Sequence, residues 1–272
     1  MSYAIALSGL QNAQTDLSVI GNNIANANTT GFKGSDVQFA NLVAASAYSN
    51  PKDTVGIGST IASIDQNFAQ GAIEQTGSAL DLAVSGDGFF SVKSPVTGQM
   101  LYTRNGNFSL DSTSAASSGN SYIVDSKGNR LQVFAPGTTT PGDATVPATN
   151  AAKTGTFTAV TVAANGQVSA AYSDGTSTVI GTVALAGFPS PEGLQQMGEA
   201  DYEVTGLSGT ATYNAPGTNN YGSLLSGALE ASNVDLSSEM VNLITAQQYF
   251  QANAKAIDTT TTITQAVINL HS

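Results

Sequence analysis

The chain has 272 residues, room for one or two domains with a sizeable core, and 41% of them are hydrophobic. Charged residues make up only 10%, with 19 acidic against 8 basic for a net charge of −11, and the cations are scattered singly, which argues against nucleic-acid binding and an anionic-membrane patch. With no Cys and a single His, His271, disulfide frameworks, thiol nucleophiles and Cys/His zinc sites are removed, and Ser-His-Asp catalysis is poorly served.

The first thirty residues are Ser, Asn, Gln, Thr and Ala with spaced aliphatics, and the first Lys is Lys33, so no basic n-region precedes an apolar h-region. This is no cleaved signal peptide, so a chain that leaves the cell would leave by another route, and no apolar run reaches the ~18 residues needed to span a bilayer. Tyr3, Ala6, Leu10, Ala13, Leu17, Ile20, Ile24 and Ala27 follow alternating +3/+4 steps, the a/d pattern of a coiled-coil seam. Asn28-Thr29-Thr30-Gly31 is expected to end this helix, Gly31 suiting a left-handed cap or turn. Asn22, Asn23 and Asn26 place three amides close together, readable as a solvated face or as inter-subunit hydrogen bonds.

In the middle the apolar period falls to two, with turn residues between short runs. Asn105-Gly106 is expected to join Leu101–Arg104 to Asn107–Leu110 as a hairpin, and Asn165-Gly166 to join Val160–Val162 to Val168–Ala170. Further strands are expected at Ile57–Ile64, Leu80–Val84, Phe89–Val92, Tyr122–Val124, Leu131–Phe134 and Val179–Leu185. Pro136 to Thr154 is Gly, Pro, Thr and Ala with almost no large apolar residue, and reads as a long loop. The C-terminal helix starts near Val234, with Asn233 or Asp235 as cap. Its stripe runs Leu236, Met240, Leu243, Gln247, Phe250, Ala254 and Ile257, then slips to Ile263, Val267 and Leu270 past the β-branched run Thr259–Thr262.

Chemistry is thin along this chain. Asp81 and Asp87 flank Gly86-Asp87-Gly88, but two carboxylates fall short of a calcium or magnesium shell and suit a turn. Gly56-Ile57-Gly58 lacks the third glycine and the helix of a dinucleotide loop. His271 reads as a helix-end cation, and Met240, Tyr249 and Phe250 as packing residues. No cofactor or metal is expected.

Ile20-Gly21-Asn22-Asn23-Ile24-Ala25-Asn26, followed by Thr30-Gly31-Phe32-Lys33, resembles the N-terminal signature of the axial proteins of the bacterial flagellum, the rod and hook subunits. Three further blocks agree: Leu80–Val84 through Gly88-Phe89-Phe90, Tyr102–Gly106 with Phe108, and Gly227–Leu236. Phe39-Ala40-Asn41-Leu42 leading quickly into Val55-Gly56-Ile57-Gly58, together with Phe250–Lys255, is most similar to hook subunits, whereas the length is rod-like.

The resemblance implies an α+β fold, with long N- and C-terminal helices pairing as a coiled coil around a central antiparallel all-β domain. The expected layout is a helix at 1–34, an extended linker at 35–79, a β-rich domain at 80–226 and a helix at 227–272. It further implies a non-enzymatic subunit of the extracellular hook, with a distal or proximal rod protein as the alternative, exported without a cleaved signal peptide through the flagellar type III channel and polymerising into a hollow, bendable tube that transmits torque from motor and rod to filament and passes exported subunits. Its partners would be copies of itself, rod and hook–filament junction proteins, the hook cap and the export apparatus, with neither nucleic acid nor membrane insertion. The subunit contacts would lie on Tyr3, Leu10, Leu17, Ile20, Asn22, Asn23, Ile24, Asn26, Leu236, Met240, Leu243, Phe250, Ile257, Ile263, Val267 and Leu270. The competing class, a secreted β-rich enzyme or adhesin, leaves the two heptad ends unexplained.

Overall fold

The computed structural model describes residues 2–43, 56–111, 120–150, 152 and 154–270. Val55, His271 and the side chain of Leu270 lie outside the described residues. The chain divides into two units, one of Met1–Ala27, Gly34–Asn67 and Val234–Ser272, the other of Asn28–Lys33 and Phe68–Asn233.

The first unit contains α1 (Ser2–Ala25), an antiparallel ribbon of β1 (Ser35–Val43) and β2 (Gly56–Gln66), and α2 (Leu236–Leu270). At ~1.5 Å per residue α1 is about 36 Å long and α2 about 52 Å. α1 packs against α2 and against both strands. Asp235 caps α2: its Oδ1 accepts the Ser237 N–H at 2.9 Å and its Oδ2 the Ser238 hydroxyl at 3.1 Å. Both contacts hold its carboxyl below the usual aspartate range.

One expectation at the helix ends is revised. α1 stops at Ala25, and Gly31 takes the turn role, closed by the Phe32 N–H to Thr29 carbonyl bond at 3.2 Å, rather than capping the helix. Gly31 does adopt φ +69°, but in the second unit, where an added Cβ would sit 2.5–2.6 Å from the Arg104–Asn105 backbone and where its N–H donates to the Glu230 carbonyl at 2.8 Å. The Thr259–Thr262 run leaves α2 unbroken. The hydroxyls of Thr260, Thr261 and Thr262 donate to the carbonyls four residues back at 2.8–2.9 Å, and Thr259 to Ala256, three back.

The second unit is β-rich, built on a 14-stranded sheet whose main path runs 157–162, 167–172, 177–183, 130–134, 89–93, 100–103, 201–203, 195–198. Each of these neighbours pairs antiparallel, as expected. Inward-facing Leu82, Phe90, Val92, Ile123, Leu131, Val183 and Leu185 form its main core, with a second cluster of edge-to-face rings at Phe89, Tyr102, Phe188 and Tyr202.

Asn165-Gly166 is a hairpin turn, with Val162 opposite Val168 and Gly166 at φ +81°. Asn105-Gly106 is not. The strand Met100–Thr103 pairs with Phe89–Lys93, and Ser109–Asp111 pairs with Asn120–Val124. Gly106 is needed for another reason: an added Cβ would overlap the Leu82 carbonyl oxygen, which leaves no room for a side chain there. The supposed loop after Pro136 carries strands Pro141–Asp143 and Thr145–Pro147, and Ala144 and Val146 are core residues despite their small size.

Candidate assembly surfaces

The helix contact in the first unit is built from small and polar residues, and this shifts its phase from the apolar stripe. Along α2 the covered positions are Glu239, Leu243, Ala246, Phe250, Asn253, Ala254, Ile257 and Thr260, an alternation of four and three to which Ala254 is added. Leu243, Phe250, Ala254 and Ile257 therefore lie in the expected seam, whereas Leu236, Met240 and Gln247 are exposed. On α1, Ala6, Ala13 and Ile20 are buried, Leu10, Leu17 and Ile24 are half-buried, and Tyr3 is exposed. Gly9 lets the helices approach, since a Cβ there would meet the Asn253 amide at 2.8 Å.

Asn23 is the most heavily bonded of the three amides. Its Nδ2 donates to the Ser35 carbonyl at 2.9 Å and to Glu239 Oε1 at 3.1 Å, and its Oδ1 accepts the Ser35 N–H at 3.0 Å. This buried side chain thus joins α1, α2 and β1 within one chain, and both ends of its amide are engaged there. Asn26 Nδ2 donates to the Asn22 carbonyl, and Asn22 itself is exposed. Beside Asn23, Asp16, Asp36 and Glu239 line a pocket of about 190 Å³. Burial raises the Asp16 pKa, and the like charges of Glu239 and then Asp36 raise it further.

Outside the seam the first unit leaves much apolar surface bare. Leu236, Met240 and Ile244 form an exposed i, i+4, i+8 row on α2, joined by Val241 and Tyr249, and Ile263, Val267 and Ile268 are exposed near its end. Tyr3, Ile5 and Leu7 are exposed on α1, as are Phe39, Leu42, Val43, Ile57 and Ile64 on the ribbon. Exposed apolar patches of this extent are the kind that accompany interaction surfaces.

The second unit holds a feature the sequence reading missed. Glu230, fully buried, accepts Lys33 Nζ at 2.6 Å and the Gly71 N–H at 2.9 Å on Oε1, and Arg104 Nη1 at 3.3 Å on Oε2. Lys33 also donates to the Ala69 carbonyl at 2.7 Å. Burial lowers the Lys33 and Arg104 pKa values while Glu230 opposes that shift. The partners lie 126 and 197 positions apart, so no local pattern announces them. Asp81, weighed as a possible ligand, accepts the Thr76 hydroxyl at 2.5 Å and faces Asn107 in a β-bridge. Among the described residues no three His, Cys, Asp or Glu side chains gather as a metal site, and no helix is long and apolar enough to cross a membrane.

Three family profiles match the chain: "Flagella basal body rod protein" over residues 4–33, "Flagellar hook protein FlgE/F/G D1 domain" over 83–170, and "Flagellar basal body rod FlgEFG protein C-terminal" over 225–270. The flagellar basal-body rod protein FlgG of Bacillus subtilis is 36% identical over 277 residues, covering 97% of this chain and 96% of that one. The flagellar hook protein FlgE of Salmonella typhimurium is 28% identical over 411 residues, covering 99% of this chain and all of the relative. Among solved structures, the Helicobacter pylori hook protein FlgE2 matches 48% of this chain and 39% of that one at 21% identity, with a TM-score of 0.25.

Proposed function

Because the chain belongs to the bacterial flagellar rod and hook protein family, a family of structural rather than catalytic proteins, we propose that it is a subunit of the flagellar axis that polymerises head to tail through its terminal helices. The observation that carries this reading is the bare apolar surface of the first unit. A chain that buries Leu82, Phe90 and Leu131 completely nevertheless leaves Met240, Ile244, Ile263 and Val267 about half exposed, at roughly 1 kcal/mol of unrealised burial per side chain. Neighbouring copies recover that free energy. In the tube, α1 and α2 form a coiled coil, and the exposed rows, together with Tyr3 and Asn22, meet adjacent subunits.

Within the axis the rod placement is supported by end-to-end alignment with the rod relative at nearly equal length, while the hook relative also covers this chain almost whole, over a longer span. The hook placement is the second reading, favoured by the Phe39–Leu42 and Phe250–Lys255 segments. In either position the partners are further copies, the adjoining axial proteins and the export apparatus, through which the chain passes unfolded.

Electron microscopy of the concentrated protein should show tubes. A labelled subunit should co-purify with basal bodies from which hooks have been sheared if it is rod, and with the sheared hooks if it is hook. A monomer at every concentration, in a strain that swims normally without it, would overturn the assignment.

A further inference from the structure

The second unit carries a projection and a recess at opposite ends of one hairpin. Between strands Phe89–Lys93 and Met100–Thr103 the chain turns through Ser94–Gln99, and Val96 at the tip is 90% exposed. The turn is braced. Ser94 N–H donates to the Gln99 carbonyl and Gly98 N–H to the Ser94 carbonyl, both at 2.9 Å, and Thr97 N–H donates to Ser94 Oγ at 3.3 Å. Pro95 fixes the backbone beside the tip. An apolar side chain on so ordered a support loses little conformational entropy when it is bound.

At the Phe89 end of the same hairpin lies a cleft of about 450 Å³ walled by Phe68, Phe188, Pro189 and Tyr221. Aromatic and proline walls of this kind accept a small apolar knob and its flanking proline. The charges match as well. Lys93, exposed, stands at the root of the turn, and Asp87, exposed, stands at the cleft, whose lining cation, Arg104, is buried and paired with Glu230. In a chain of net charge −11 two copies repel in general, so a cation beside the knob and an anion beside its receptor favour one docking register over others.

We propose that the Val96 turn of one copy seats in the Phe68/Phe188/Tyr221 cleft of the next, with Lys93 against Asp87. Projection and recess differ and lie at separate ends of the unit's hairpin, so the contact is heterologous, the type that builds a helical assembly wherever its rotation does not close a ring. The inference rests on the polymerising role proposed above and adds to it a contact between β-rich units, made by residues outside the terminal helices.

The chain contains no Cys, so a Val96→Cys, Thr212→Cys double variant reports on this contact alone, Thr212 being exposed at the cleft. Strand Phe89–Lys93 by itself separates the two positions by about 13 Å, beyond the ~7 Å limit of a disulfide, so oxidation links only different copies. The full chain is polymerised, oxidised mildly and run without reductant. A ladder of multimers is expected from the double variant and none above the dimer from either single variant. Val96→Ser, at a position that contributes nothing to the core, is expected to raise the critical concentration for assembly roughly tenfold. Lys93→Asp and Asp87→Lys are each expected to weaken assembly and, when combined, to restore it. Tubes without a ladder, with Val96→Ser assembling as wild type does, would overturn this contact and leave the axial role standing. Absence of any polymer would overturn both, and a ladder in non-tubular fibres would support the contact while removing the axial role.

Discussion

At the residue scale, Glu230 collects Lys33 and Arg104 in a space closed to water, with side-chain exposures of 0%, 0% and 4% for Glu230, Lys33 and Arg104. Removing one member of such a network leaves the others charged and buried, which costs more than the network contributes while intact. Glu230→Gln keeps the volume and the Gly71 contact but withdraws the charge. We expect a loss of about 3–5 kcal/mol, seen by calorimetry as a fall of roughly 6–20 °C in the melting of the β-rich unit. A shift of less than about 2 °C would mean that the two cations find water or other partners at little cost. Asp16 sets a dependence of the opposite kind. Its folded-state pKa lies above the unfolded value, through burial first and then the charges of Glu239 and Asp36, so the folded unit holds that proton more tightly than the unfolded chain does. The group therefore destabilises the helix pairing at neutral pH, and the penalty fades as pH falls through the raised pKa toward 3.8. Asp16→Asn should stabilise the first unit at neutral pH and flatten its response to acid. Denaturant titrations followed by far-ultraviolet circular dichroism, at neutral pH and at about pH 4.5, would reveal the opposite sign if Asp16 were held by an unrecognised cation.

At the element scale, the stretch after Pro136 separates into a tip and a buried part. Gly137 has φ +83° with nothing within 4 Å of an added Cβ, and Thr138 is exposed, whereas Ala144 and Val146 are at most 1% exposed. Ten flexible residues inserted after Gly137 should cost on the order of 1 kcal/mol or less in loop closure and leave melting and export unchanged. The same insertion after Ala144 should unfold the unit. Equal tolerance at both sites, measured by thermal melting and secretion, would contradict the placement of Val146 in the core. This segment also shows where sequence reading reached its limit. Its two strands are three residues each and carry a single medium-sized apolar side chain at Val146, too little for a period of two to register. Buried strands such as Phe89–Lys93 and Arg130–Phe134 were legible because their apolar runs are dense. Long-range pairing was not, and Asn105-Gly106 imitates a hairpin locally while its flanking strands pair elsewhere. The helices themselves were legible from the +3/+4 spacing, but their contact phase was not. Apolar spacing selects Met240 and Gln247, whereas the actual seam uses Glu239, Ala246 and Asn253, whose partners Asn23 and Gly9 sit on the other helix.

At the scale of the whole molecule, if assembly draws on the exposed faces of the helices whose covered faces fold the first unit, substitutions on each face should part the two. Ile20 is 6% exposed and inside the first unit, so Ile20→Asp buries an unpaired carboxylate at a cost of several kcal/mol. The helix pairing should be lost, and with it any polymer. Met240 is 45% exposed and lies outside the covered positions of α2, so Met240→Asp should leave helical content and both units' melting as they are. If the Leu236–Met240–Ile244 row meets a neighbouring subunit, each copy then carries one unpaired charge into an interface repeated along the tube. Assembly should fail although the monomer is intact. The measurement is paired: circular dichroism and calorimetry on the purified chains, then swimming and electron microscopy in cells lacking the native subunit. Intact melting with no tube and no swimming for Met240→Asp, against lost pairing for Ile20→Asp, is the expected pattern. Normal swimming of the Met240→Asp strain would show that this row faces water in the assembled axis, and that the interface lies on Tyr3, Ile5 and Leu7 or on the ribbon.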